Sequence, residues 1–153
     1  MCKVKTYILI VSSIFPKTHI RAGEQTLFKE KILKFEKIHT IRSNKELWKK
    51  RIDEVNQGKA LLSIRTWNGA PYKSPQIEIK QLTKDDGIGY EEVIFTRNDL
   101  HMPIINGLQD NIRNQLSYND GLTQEDFVDW FKGYDLSKSL LIIHFTDFKY
   151  RIK

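Results

Sequence analysis

Six consecutive residues, Lys37-Ile38-His39-Thr40-Ile41-Arg42, bring together an ammonium, an imidazole, a hydroxyl and a guanidinium. Cations at this density can grip an anion, and a hydroxyl beside an unprotonated amine can act as a nucleophile. Ile38 and Ile41 have the β-branched shape that strands favour, so the segment reads as a strand. Side chains alternate along a strand, which puts Thr40 and Arg42 on one face and Lys37 and His39 on the other. Lys37 and Thr40 then converge only where Lys37 stands before the strand, on a turn. An amphipathic strand with two packed isoleucines and an exposed polar remainder accounts for the same residues.

Two further segments carry chemistry. In Ser63-Ile64-Arg65-Thr66-Trp67, followed by Pro71-Tyr72, alternation puts Leu61, Ser63, Arg65 and Trp67 on one face. Arg65 and Trp67 there offer a charge and a stacking surface for a base, or pair with each other as cation and ring. The loop Pro16 to Gly23 carries Lys17, His19 and Arg21 at alternating positions, a rim suited to an anion, although exposed loops often carry such residues without function. Histidines at 19, 39, 101 and 144 lack paired ligand spacing and Cys2 is the only cysteine, so neither a metal site nor a cofactor is expected. Gly87-Ile88-Gly89 is too short for a dinucleotide fingerprint and reads as a turn. His144, inside an apolar strand, reads as a hydrogen-bonded core histidine.

Charge is unevenly spread. Residues 1–80 hold 17 Lys+Arg against 7 Asp+Glu, a balance of +10, while residues 81–153 hold 8 against 12, a balance of −4. A basic face of this kind can follow a phosphate backbone; a solvated lysine-rich surface has the same composition. At 153 residues and 40% hydrophobic content the chain supports one sizeable core, and scattered glycines and prolines mark no linker, so a single domain over 1–153 is expected. The apolar stretch Tyr7–Ile14 is too short for a membrane span and no cleavage site follows it, so no membrane association is expected. A lone cysteine fits a reducing, cytoplasmic setting.

These residues need a scaffold. The spacing predicts strands over 4–14, 59–67, 76–82, about 90–96 and 139–148, besides the segment at 37–42. Asn68-Gly69 marks the turn of a hairpin. Helical spacing predicts helices over 26–34, through Leu47, Trp48, Ile52 and Val55, through Leu108, Ile112 and Leu116, and through Phe127, Trp130 and Phe131. Ser43 with Glu46 reads as a capping box for the second, with Gly58 as its stop, and Thr123 with Asp126 as a cap for the fourth. Strands at both ends of the chain with antiparallel hairpins between them favour a small curved sheet or a partly closed barrel flanked by helices.

Lys37-x-x-Thr40-Ile41-Arg42, then Trp48 and Arg51, Gly58-Lys59-Ala60, and Leu62-Ser63-Ile64-Arg65-Thr66-Trp67 leading to Pro71-Tyr72, together resemble the ASCH-domain family over about residues 5–96 and 140–150. The resemblance implies a PUA-like α+β fold: a small mixed or antiparallel β-barrel flanked by helices. A helical insertion at about 100–135, before the last strand, is particular to this branch. It also implies a cleft for RNA or a nucleotide-type ligand, built here from the 37–42 and 63–72 segments. Some members of that family are amidohydrolases that remove the acetyl group of N4-acetylcytidine with a lysine and a threonine of this motif and a glutamate. Lys37 and Thr40 fall on the matching positions; Glu78, Glu91 and Glu92 compete for the third, and no motif selects one.

Two functions follow. The favoured one is a binding domain for RNA or a nucleotide, with Lys17, His19, Arg21, His39, Arg42, Arg65, Trp67 and Tyr72 as its contacts. The alternative is an amidohydrolase acting on an acylated nucleoside through Lys37 and Thr40. A third reading, a protein partner held by the acidic C-terminal helices around Trp130 and Phe131, stays open.

Overall fold

The computed structural model describes residues 4–95, 103–105, 108–109 and 113–150. Among the described residues eight strands and four α-helices run in the order β1 (Lys5–Ile10), α1 (Phe28–Leu33), β2 (His39–Arg42), α2 (Lys45–Asn56), β3 (Ala60–Trp67), β4 (Gln76–Leu82), β5 (Gly89–Phe95), β6 (Pro103–Ile105), β7 (Leu108–Gln109), α3 (Arg113–Asn119), α4 (Gln124–Phe131) and β8 (Leu140–His144). His101 and Cys2 lie outside the described residues.

The strands form two open sheets, β1-β3-β4 and β2-β8-β5-β6-β7. The expected barrel is therefore not formed. Closure needs a ladder between the sheets, yet among the described residues β1 pairs only with β3, in parallel, and β2 only with β8. The facing edges of β1 and β2 are joined instead by a side chain, with Arg42 Nη2 donating to the carbonyl of Ile10. The α+β composition holds, and α3 and α4 do precede the last strand.

Strand lengths follow from partners. β1 ends at Ile10, which pairs with Arg65 near the end of β3, so it is shorter than the apolar run 4–14. β8 stops at His144, where both its neighbours run out: His39 begins β2 and Gly89 begins β5. β3 and β4 form the expected antiparallel hairpin, with a register shift between Ile64 and Arg65. Its turn is longer than an Asn-Gly pair, because Asn68 N bonds to Pro75 O at 2.9 Å and closes a wide loop.

The helices cover the sheets. α2 buries Trp48, Ile52 and Val55, each apolar side chain contributing about 1.5–3 kcal/mol when fully withdrawn from water. Its N-cap is Asn44, with no side-chain cap bond, so the Ser43–Glu46 capping box is absent. Its end does form at Gly58: φ is +78°, Gly58 N bonds to Val55 O and Lys59 N to Glu54 O, the paired bonds of a left-handed stop. Lys45 and Lys49 reach Glu92 of β5 at 3.1 and 2.8 Å and fasten α2 to the larger sheet. On that sheet's other face lie α3 and α4, burying Leu116, Phe127 and Phe131. Leu108, expected in a helix, pairs with Ile105 across β6 and β7; Ile112 lies outside the described residues. Thr123 caps α4 as its spacing predicts, accepting from Asp126 N at 3.2 Å. Among the described residues no helix is long and apolar enough to cross a membrane.

Candidate functional site

β2 divides its chemistry between two faces. Directly paired residues share a face, so the registers His39–His144 and Ile41–Ile142–Glu91 place His39, His144 and Glu91 together. Thr40 and Arg42 point to the opposite side.

On the first face the polar groups are buried and joined. Lys37 precedes β2, as convergence with Thr40 required, but its ammonium turns to the end of α3. It donates to Asp120 O at 2.7 Å and Oδ1 at 3.2 Å, and sits 4.3 Å from the centre of the Phe28 ring. Thr40 is not among its hydrogen-bond partners. Burial lowers the Lys37 pKa, with Asp120 opposing. His39 Nδ1 donates to the same Asp120 Oδ1 at 3.2 Å, leaving Nε2 to accept from the Tyr150 hydroxyl at 2.7 Å; Asn119 Nδ2 donates to that hydroxyl at 3.0 Å. His144 Nε2 donates to Glu91 Oε1 at 2.7 Å, which also accepts from Tyr150 N at 2.7 Å. His144 is thus the buried, hydrogen-bonded histidine that its apolar strand predicts. Burial lowers the His39 pKa and holds that of His144 down to about 4, keeping the imidazoles neutral.

On the second face, Thr40 and Arg42 open on a cavity of about 300 Å³ with Ser12, Thr18, Phe28 and Tyr134 in its wall. It occupies the gap between the unpaired edges of β1 and β2. Trp67 and Thr66 open on another, of about 410 Å³, between the β3–β4 loop and the segment Gln25–Glu30. The 37–42 and 63–72 segments therefore do not form one cleft. They line two cavities that have Phe28 as a common wall.

The remaining candidates are placed as follows. Arg65 Nε donates to Ser63 Oγ at 2.9 Å and Nη1 to Gln76 at 3.2 Å, on the outer side of the smaller sheet, and Ser63 in turn donates to Glu78. Tyr72 is 89% exposed, at a φ of +62°, with its ring 5.1 Å from that of Trp67. His19 and Arg21 face α4: His19 Nε2 donates to Asp126 O at 3.0 Å, its Nδ1 accepts from Arg21 N at 2.9 Å, and Arg21 Nη1 meets Asp126 Oδ2 at 2.6 Å. Their loop is pinned to a helix. Lys17 is exposed. Phe131 is buried and Trp130 packs among Phe15, His19 and Phe28, so these rings face inward.

Sequence reasoning missed Asp120, Asn119 and Tyr150 around His39, and Ser12, Thr18, Phe28 and Tyr134 around Arg42. Asn119-Asp120-Gly121 carries a turn signal only; nothing local ties it to a lysine more than eighty residues earlier. No protein-family model, no curated protein and no solved structure matches the chain.

Proposed function

We propose that this chain binds RNA or a nucleotide, with a base held against Trp67 and Tyr72 at the mouth of the cavity between the β3–β4 loop and the segment before α1. The observation that carries it is the aromatic pair itself. Tyr72 holds a left-handed backbone, which costs a non-glycine residue about 1 kcal/mol or more. That conformation leaves a large ring in water, 5.1 Å from its neighbour, beside a cavity of about 410 Å³. Exposed rings beside cations are how proteins hold single-stranded bases, and Lys29 and Asn68 stand in the same wall. The +10 balance of residues 1–80 supplies the field that attracts phosphates.

The test is titration of a short single-stranded RNA, followed by tryptophan fluorescence and by calorimetry at two salt concentrations. Trp67→Ala and Tyr72→Ala are each expected to weaken binding by about 1–3 kcal/mol, the range for one stacked base. Affinity should fall as salt rises, since phosphate contacts release counterions. Tight binding indifferent to both substitutions overturns the reading.

A further inference from the structure

The cavity beside Arg42 is distinct from the aromatic one, and its wall chemistry is different. Arg42 offers five N–H donors. One hydrogen bond, to Ile10 O, accounts for one of them, and no other is made among the described residues. Among the described residues no carboxylate lies within ion-pair distance of it; the acidic groups whose fields reach it are the Tyr134 phenol and then Asp120, which is already bonded to Lys37 and His39. Four hydroxyl side chains, Ser12, Thr18, Thr40 and Tyr134, stand in the same wall, and none of their hydroxyls makes a hydrogen bond among the described residues. A partly buried cation with neither counter-ion nor full hydrogen bonding is costly unless an anion joins it.

We propose that this cavity is an oxyanion site that takes a phosphate group, gripped by the free edge of the Arg42 guanidinium and by the surrounding hydroxyls. Arginine presents a planar fork that matches two phosphate oxygens, and hydroxyls can satisfy the remainder. A cavity of about 300 Å³ has room for one phosphate with part of a sugar. Phe28 separates this cavity from the aromatic one. Resting on the base-binding reading above, the ligand class is then a phosphorylated nucleotide, whose base and phosphate occupy adjoining cavities. Inorganic phosphate is the other source of the same chemistry, and the experiment distinguishes them.

Calorimetry of the full chain with inorganic phosphate, with the four nucleosides and with their 5′- and 3′-monophosphates decides it. Wild type is expected to bind at least one monophosphate roughly tenfold or more tightly than the matching nucleoside, as a charge-assisted bidentate contact provides. Arg42→Met should abolish that preference. Thr40→Val, which keeps the strand-compatible shape, should reduce it several-fold, and serves should Arg42→Met fail to fold without its bridge to β1. Equal affinity for nucleosides and monophosphates in wild type, or a preference that survives both substitutions, overturns the oxyanion site. Nucleoside binding that depends on Trp67 but ignores phosphate leaves the base-binding reading standing while this one falls. Phosphate binding that needs Arg42 but not Trp67 does the reverse.

Discussion

Lys37 and Asp120, more than eighty residues apart in the chain, form a buried ion pair in which the lysine ammonium meets both the carbonyl, at 2.7 Å, and the carboxylate, at 3.2 Å, of the aspartate. Gly121 lets them approach, since a Cβ there would stand 3.2 Å from Lys37 Cβ and Cδ. The pair fixes the segment before β2 and rests the ammonium on Phe28, the ring that separates the two cavities.

Removing one partner leaves a charge in the core. Asp120→Ala should therefore destabilise the fold by about 3 kcal/mol or more in urea unfolding. Lys37→Met combined with Asp120→Leu should recover much of that loss, because the desolvation cost disappears with both charges. A double variant no more stable than Asp120→Ala would show that the pair contributes through its geometry and not through charge balance.

Stability should depend on pH through His144. Its folded pKa, about 4, lies below the ordinary 6.5, so the unfolded chain binds more protons between those values. Stability is full above about pH 6.5, declines as pH falls, and levels off below about pH 4. The shift corresponds to about 3 kcal/mol. His39, also lowered by burial, adds loss in the same direction. His144→Gln should flatten the unfolding free energy measured across this window; an unchanged slope would assign the acid sensitivity elsewhere.

Two glycines at positive φ should respond differently to alanine. At Gly87 a Cβ would lie 2.8 Å from Asp147 Cβ and 3.3 Å from its Cα, so the backbone must move. At Gly58 the nearest atom is Lys84 Cδ, at 3.5 Å on a flexible chain. Gly58→Ala should cost about 1 kcal/mol, from conformation alone, and Gly87→Ala distinctly more. Melting temperatures of the two variants order them.

The loop 16–23 should behave as a docked strap. Arg21→Ala removes the 2.6 Å bond to Asp126 and the stacking of its guanidinium on Phe15, at 4.6 Å. Amide exchange is expected to rise in that loop, with RNA affinity within about twofold of wild type and thermal stability only slightly lowered. A large loss of affinity with a quiet loop would return Arg21 to the ligand.

Acyl transfer is tested on the hydroxyl. Thr40 lacks a hydrogen bond to Lys37, and the ammonium is held by Asp120, so the activating contact a threonine nucleophile requires is not made. Incubation with N4-acetylcytidine should release no acetate above the rate without protein. Turnover in wild type that vanishes in Thr40→Val would instead establish the hydrolase.

Much of the scaffold is legible in the chain because local patterns encode it. The period of Leu47, Trp48, Ile52 and Val55 specifies a buried helix face, Gly58 stops it, Thr123 starts α4, and alternation marks the β3–β4 hairpin. The placement of Arg65 and Trp67 on one face follows from the same alternation. The expected strand over 37–42 is shorter, His39–Arg42, and Lys37, standing before it, keeps its ammonium on the His39 side at Asp120.

Three things were decided only by the tertiary fold. Whether the sheets close depends on which edges find partners, and pairing energies between distant strands leave no local pattern; a side chain, Arg42, spans the gap that a ladder would have filled. Where Lys37 points depends on Asp120, brought beside it by helix packing. Whether a cation is spent or free is a matter of its neighbours. His19 and Arg21, which look like an anion rim, are occupied by α4, whereas Arg42, in the same basic half, keeps donors open to a cavity because no carboxylate among the described residues is folded against it. Residue types set what chemistry was available, and the geometry of non-local contacts chose which groups were left to perform it.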